Sequence, residues 1–193
     1  MKKLLIVGAG GFGREVACWA AEAMGRGTDW VPAGFLDDNV RALEGTGAGL
    51  PRVGGVSDFV PTDDVVLVVA VGLPGIRRRL QEDLAKRGAC FASVIHPTAV
   101  VAPTARLGAG TVLAPYSVVS ADVRVGDGVV LNFHAVAEHD VRLGRWSQLN
   151  SHANACGYAV LGEEVLVGTH GVIPPRAQVP DGVSIERGSV FGV

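Results

Sequence analysis

His139 stands between two carboxylates, Glu138 and Asp140. A carboxylate that takes the Nδ1 proton leaves Nε2 basic and oriented, which is what a general base requires. The residues 18 positions before and after it are Ala121 and Gly157, so on an 18-residue coil its neighbours are small and leave room for a substrate. The other histidines of this half behave differently. His134, His152 and His170 are themselves 18 apart, with Tyr116 one step below, and predict a stacked ladder in which each ring shields the next. A second constellation lies at the start of the chain, where Gly8-Ala9-Gly10-Gly11-Phe12-Gly13 follows an apolar run and opens a helical pattern. Glycines let a backbone approach a phosphate, and a helix N-terminus adds unpaired N–H groups and a positive dipole end.

The elements that must hold these groups follow from two periodicities. From Ile95 to Phe191 every sixth residue is apolar, and the residue two places before it is always Ala, Ser, Thr, Val or Gly. A helix would need spacings of three and four and an ordinary strand an alternation of two. A strict six describes a triangular β-solenoid in which short strands form three walls, aliphatics fill the interior and small residues fit where walls converge. Three hexapeptides make one coil of 18, so residues 95–191 make a little over five coils. The first ninety residues predict an α/β unit. Strands over 4–7, 33–36, 65–71 and 90–94 alternate with helices from the glycine turn to about 24 and over 76–87, and the glycine-rich stretch 41–55 reads as a mobile loop. Asp37-Asp38 ends the second strand, where a carboxylate can meet a ribose hydroxyl or a base edge. One such unit supplies a single mononucleotide half, which fits a sugar nucleotide better than a dinucleotide.

The bulk numbers exclude several functions. Seventeen basic against 19 acidic residues, a net charge of −2 and no basic run beyond Arg77-Arg78-Arg79 offer little footprint for nucleic acid. The N-terminal apolar run is too short for a secretory h-region or a membrane span, so a cytoplasmic protein is expected. Cys18, Cys90 and Cys156 are odd in number and spread over three elements, which predicts reduced thiols and no metal spacing.

Asn132, Glu138-His139-Asp140, Gly8 to Gly13, Phe35-Leu36-Asp37-Asp38, Gly72 followed by Ile76-Arg77, and Ile95-His96-Pro97 together resemble the NeuD/PglD group of hexapeptide acetyltransferases over essentially the whole chain. The resemblance implies a Rossmann-like α/β domain over 1–94 and a left-handed parallel β-helix of hexapeptide repeats over 95–193. It implies acetyl transfer from acetyl-CoA to an amine or hydroxyl of an amino sugar, nucleotide-linked or sialic-acid-like, by a homotrimer without metal. It places His139 as the base and Asp140 as its carboxylate. Gly10, Gly11, Phe12, Asp37, Asp38 and Gly72 take the nucleotide-sugar contacts, and Gly157 and Thr169 line the coenzyme groove. Backbone N–H groups near Gly157 would hold the developing oxyanion. Two departures stand out. Gln148 occupies the position where some members place a second histidine near the thioester. Arg187 replaces a glycine, and the last coil is followed by no Gly-Asn-Pro-Ala-Lys-like segment, which makes Arg187 the candidate for a coenzyme phosphate. Trp146, in a turn of the same coil, is the candidate anchor between subunits.

Two other classes compete. A γ-class carbonic anhydrase-like metal enzyme shares the solenoid and a pair like His134 and His139; a catalytic zinc needs three protein ligands, and Thr98 stands at the third position, leaving His152 or His170 to substitute. A non-catalytic sugar-nucleotide-binding protein on the same fold, which the Gln148 departure favours, need not bind the coenzyme.

Overall fold

The computed structural model describes residues 1–192; Val193, the last residue of the expected 95–193 unit, lies outside them. The N-terminal part is a four-stranded parallel sheet of β1 (Lys2–Val7), β2 (Trp30–Leu36), β3 (Arg52–Gly54) and β4 (Val65–Val69), in the order β3-β2-β1-β4. Two 13-residue helices, α1 (Gly11–Ala23) and α2 (Pro74–Lys86), cover its two faces. Alternation along β1 decides which residue meets which helix. Leu4 and Ile6 pack with Val16, Trp19 and Ala20 of α1, while Leu5 and Val7 pack with Leu80 and Leu84 of α2. The fourth strand differs from expectation. Residues 90–94 contribute one isolated bridge, Leu67 to Phe91, and then enter the solenoid, whereas β3 comes from inside the stretch expected to be a mobile loop. That stretch is tied down because Ala42, Leu43, Ala48 and Leu50 have apolar surface to bury and pack on the α1 side of the sheet.

Beyond it the chain winds into stacked coils with three walls of two-residue parallel strands. The first wall has six strands, from Val94–Ile95 to Ser184–Ile185; the second has five, from Val100–Val101 to Val172–Ile173; the third has five, from Arg106–Leu107 to Gln178–Val179. In each strand the second residue points inward. Leu113, Val119, Leu131, Leu149, Val167 and Ile173 are fully buried, while Ile95, on the end coil with no neighbour beneath it, is exposed. The small residues before them are buried as well, and the buried hydroxyls of Thr111 and Ser117 each donate to a carbonyl three residues back at 2.8 Å.

The walls are set apart by their outward residues. On the first, Val94, Val112 and Val130 are sealed under α1, so the helix is sandwiched between the sheet and the solenoid. His96 adds a tether, with Nε2 2.9 Å from Glu22 of α1 and Nδ1 2.8 Å from Thr98. The second wall presents an uncovered row of Val100, Val118, Val136, Asn154, Val172 and Val190. The third presents Arg106, Arg124 and Arg142 in register and exposed. Corner residues such as Tyr116, His134, Asp140, Trp146, His152, Tyr158 and His170 have φ near +60°, a conformation that costs a side chain about 1–2 kcal/mol. Each corner N–H is repaid by the coil before it; that of His152, for example, bonds the carbonyl of Phe133 at 2.9 Å. Among the described residues no helix is long and apolar enough to cross a membrane.

Candidate active site

The catalytic candidates sit on the corner between the second and third walls. His139 Nδ1 lies 3.0 Å from Asp140 Oδ2, so Asp140 and not Glu138 is the carboxylate bonded to the ring, and Nε2 has no hydrogen-bond partner among the described residues on a half-exposed side chain. Glu138 is used otherwise: its two oxygens accept from Asn154 Nδ2 at 3.0 Å and from the Gly157 N–H at 2.9 Å. The latter bond has a consequence for the expected oxyanion site. The Gly157 N–H is already donated, and the Tyr158 N–H is donated to the carbonyl of His139, so neither points at a substrate. On the Gly157 side the room expected beside the base is taken up by the imidazole itself. The imidazole lies on Gly157, where a Cβ would come within 2.7 Å of Cε1 and 2.8 Å of Nε2, and the edge of Tyr158 closes its flank at a centroid distance of 5.2 Å. Gly157→Ala must therefore displace the ring. A shift of this size is expected to lengthen the His139 to Asp140 bond while leaving the coils folded, read from a crystal structure of the variant and from circular dichroism.

The histidine ladder forms on the next corner, between the first and second walls. Tyr116, His134, His152 and His170 stack at centroid distances of 5.1, 4.8 and 4.8 Å, within 10° of parallel. Parallel rings set their nitrogens side by side and do not converge on one point, and His134 and His139 occupy different corners, so one subunit does not assemble them around an ion. Thr169 and Arg187 belong to this ladder corner, where the Gly188 N–H bonds the carbonyl of Thr169 at 2.8 Å. Within one chain they are a full wall away from His139 and Gly157.

The nucleotide candidates gather at the C-terminal edge of the parallel sheet: Gly10 and Gly11 after β1, Asp37 and Asp38 after β2, Gly72 after β4. This is where strand order reverses about β1 and where ligands of open α/β sheets bind. A Cβ on Gly13 would collide with the carbonyl of Gly8, so that glycine serves packing of helix on strand, but Gly10, Gly11 and Gly72 have open space where a side chain would project. The carboxylates are partly spent inside the chain. Asp37 accepts from the N–H groups of Ala9 and Asn39 at 2.8 and 2.9 Å; Asp38 Oδ1 accepts from Val56 and from the N–H and hydroxyl of Ser57. These bonds, the Ser57 N–H foremost, hold Asp38 below the usual carboxylate range. Phe12 is half-buried against Trp19, which in turn meets Phe133 of the ladder corner edge-on at 5.2 Å. The cysteines are free thiols; burial and the nearby Glu138 charge push Cys156 up, away from nucleophile character.

Three residues have roles their positions in the sequence concealed. Trp146 is buried inside the subunit, its Nε1 3.2 Å from Gln81 of α2 and its ring flanked by Arg78 and Arg145, so it does not anchor another subunit. Gln148, expected beside the coenzyme, is 5% exposed and has both ends of its amide held within the chain. Arg77 is fully buried. Its guanidinium donates to the carbonyls of Gly128 (2.8 Å), Val71 (2.7 Å) and Trp146 (2.6 Å) and to Gln148 Oε1 (2.9 Å). Burial pushes it down to about 9, which still leaves it protonated at neutral pH. The signal was present in α2, where Pro74, Arg77, Gln81 and Leu84 mark one buried helical stripe with polar residues in core positions.

Comparison with known proteins agrees with this architecture. Residues 3–84 match the family model of the PglD N-terminal domain. The chain is 34% identical over 117 residues to the UDP-N-acetylbacillosamine N-acetyltransferase of Bacillus subtilis, covering 58% of this chain and 51% of that one, so it aligns with about half the length of this curated relative. The acetyltransferase domain of PglB from Neisseria gonorrhoeae superposes with a TM-score of 0.88 at 33% identity, over 99% of this chain and 91% of that one. A mutant GDP-perosamine N-acetyltransferase from Caulobacter crescentus, with a histidine replaced by alanine and with CoA and GDP-perosamine bound, superposes with a TM-score of 0.88 at 26% identity, over 99% and 89% of the two chains. On the strength of its glycine turn, its hexapeptide coils and these likenesses over nearly its full length, the chain belongs to the NeuD/PglD-like family of hexapeptide-repeat sugar acetyltransferases.

Proposed function

We propose that this chain transfers the acetyl group of acetyl-CoA to an amine or hydroxyl of an amino sugar carried on a nucleotide, with His139 as general base. The observation that carries the reading is the His139 to Asp140 bond on a corner free of the histidine ladder. In the reaction Asp140 holds the Nδ1 proton, Nε2 takes the proton of the attacking nitrogen or oxygen as it adds to the thioester carbonyl, and the coenzyme thiolate leaves. Relatives named as N-acetyltransferases, one of them with CoA and GDP-perosamine bound, favour nitrogen as the nucleophile. The test is to offer amino-sugar nucleotides with acetyl-CoA and follow thiol release; no release with any of them overturns the reading.

The catalytic unit we infer is a trimer of left-handed coils, each bearing a Rossmann-like domain over 1–94 and a β-helix over 95–193. Gly157 and His139 lie on one corner and Thr169 and Arg187 on another, so a groove that uses both sets must be built from two subunits. The uncovered valine row between those corners supplies apolar surface for such contact. Light scattering at micromolar concentration should read three subunits, and an active monomer would overturn this assembly. Gly10, Gly11, Gly72 and the Asp37-Asp38 edge then hold the nucleotide so that its sugar reaches the base of a neighbour, and remote binding energy positions the nucleophile. Gly11→Leu fills space that is open in this structure. It should raise the KM for the sugar nucleotide by about tenfold or more while the KM for acetyl-CoA stays near wild type; the opposite pattern would move the glycine turn to the coenzyme.

A further inference from the structure

A continuous string of side-chain hydrogen bonds runs from the sheet edge to the ladder corner. Arg77 donates to the carbonyl of Val71, next to Gly72, and to Gln148 Oε1 at 2.9 Å. Gln148 Nε2 donates to Asn150 Oδ1 at 2.7 Å, and Asn132 Nδ2 donates to that same oxygen at 3.3 Å. Asn132 is half-buried and directly precedes Phe133, which packs on Trp19 and through it on Phe12 of the glycine turn. It therefore sits at the seam between the nucleotide edge and the solenoid. Its own Oδ1 receives no donor from the described residues.

The direction of this string is not arbitrary. An amide can face either way, but a guanidinium only donates. Arg77 therefore obliges Gln148 to turn Oε1 toward it and Nε2 toward Asn150. Asn150 must answer with Oδ1, and that oxygen can bind Asn132 only through Nδ2. Each amide is fixed by the one before it, back to a buried cation that no carboxylate among the described residues pairs.

We propose that Arg77, Gln148 and Asn150 are positioning residues that set the polarity of Asn132, so that its Oδ1 faces the seam as an acceptor for an N–H or O–H of the sugar. The proposal rests on the acetyltransferase reading for the identity of that donor, and on geometry alone for the polarity. It also gives Gln148 a role that does not involve the coenzyme.

Gln148→Glu tests it. The carboxylate keeps the shape and still accepts from Arg77, but it cannot donate, so Asn150 must turn Nδ2 toward it, and Asn132 must then present N–H outward. The variant is expected to melt no lower than wild type and to keep its KM for acetyl-CoA. Its kcat/KM for the sugar nucleotide should fall about tenfold to a hundredfold, the size of one mispaired polar contact. Asn150→Asp, which can still accept from both neighbours, should stay within about threefold of wild type by the same reasoning. Wild-type turnover in Gln148→Glu, or equal losses in both variants, overturns the proposal. A crystal structure at better than about 1.2 Å decides the polarity without any assay: Asn132 nitrogen toward Asn150 supports it, and oxygen toward Asn150 overturns it. Should no sugar nucleotide be acetylated by the wild-type chain, the proposed function fails, while this structural readout still decides the string.

Discussion

His139→Ala is expected to lower turnover by about 10²- to 10⁴-fold, the usual contribution of a positioned general base, with little change in folded stability. The ring is half-exposed, its contacts are the face of Gly157 and the edge of Tyr158, and it takes no part in the aliphatic core of the coils. Asp140→Asn should fall between, at a loss of about tenfold, because an amide can still accept from Nδ1 but no longer balances the imidazolium that forms. Thiol release measures turnover and far-ultraviolet circular dichroism measures folding. A fully active His139→Ala chain would sink the assignment and return the corner to a surface role.

Arg77→Leu is expected to lower the free energy of unfolding by about 3–5 kcal/mol. A buried guanidinium is costly in itself, so an apolar substitute recovers part of that desolvation. What it leaves behind decides the sign. The carbonyls of Gly128, Val71 and Trp146 and the amide oxygen of Gln148 lose donors at once, all but the Val71 bond being fully buried, and each buried acceptor without a partner costs about 1–3 kcal/mol. Arg78→Ala one position on is the control. Its bonds to Glu82 and Glu164 lie at a 40% exposed side chain, where solvent screens them, and its loss should cost less than about 1 kcal/mol. Urea unfolding of the two variants compares them directly; equal effects would show that the Arg77 bonds do not clamp the sheet to the solenoid.

The stability of that clamp bears on catalysis because the two halves of the site ride on different bodies. In the proposed reaction the nucleotide edge belongs to the sheet of one subunit and the base to a coil of its neighbour. Arg77, the His96 to Glu22 bond and the α1 face packed on Val94, Val112 and Val130 hold the sheet at a set place on its own coils, and so, through the proposed assembly, at a set distance from the neighbour's base. Loosening any of them should therefore act on the reaction of the tethered sugar before it acts on acetyl-CoA.

What the sequence determined by itself is the part that depends on local repetition. A side chain's wall, corner and inward or outward sense in a solenoid follow from its position modulo 18, which is why the three walls, the buried rows, the Tyr116 to His170 ladder and the isolation of His139 were all readable in advance. The glycine turn was readable for a similar reason, since strand, turn and helix follow one another without interruption from Lys2 to Ala23. What failed were the features that depend on partners far apart in the chain. Residues 41–55 look like a loop because their glycines suppress any period, and only the sheet edge beside β2 makes Arg52–Gly54 a strand. Trp146 and Gln148 look outward-facing by the repeat, and they are, but α2 lies over them. Gly157 promised open space and a free N–H, yet His139 fills the one and Glu138 takes the other. Arg77 shows no signal except its place on a helical stripe, because the five oxygens around it come from residues 6 to 71 positions away. Periodicity specifies which face a residue turns to; only tertiary packing decides what that face meets.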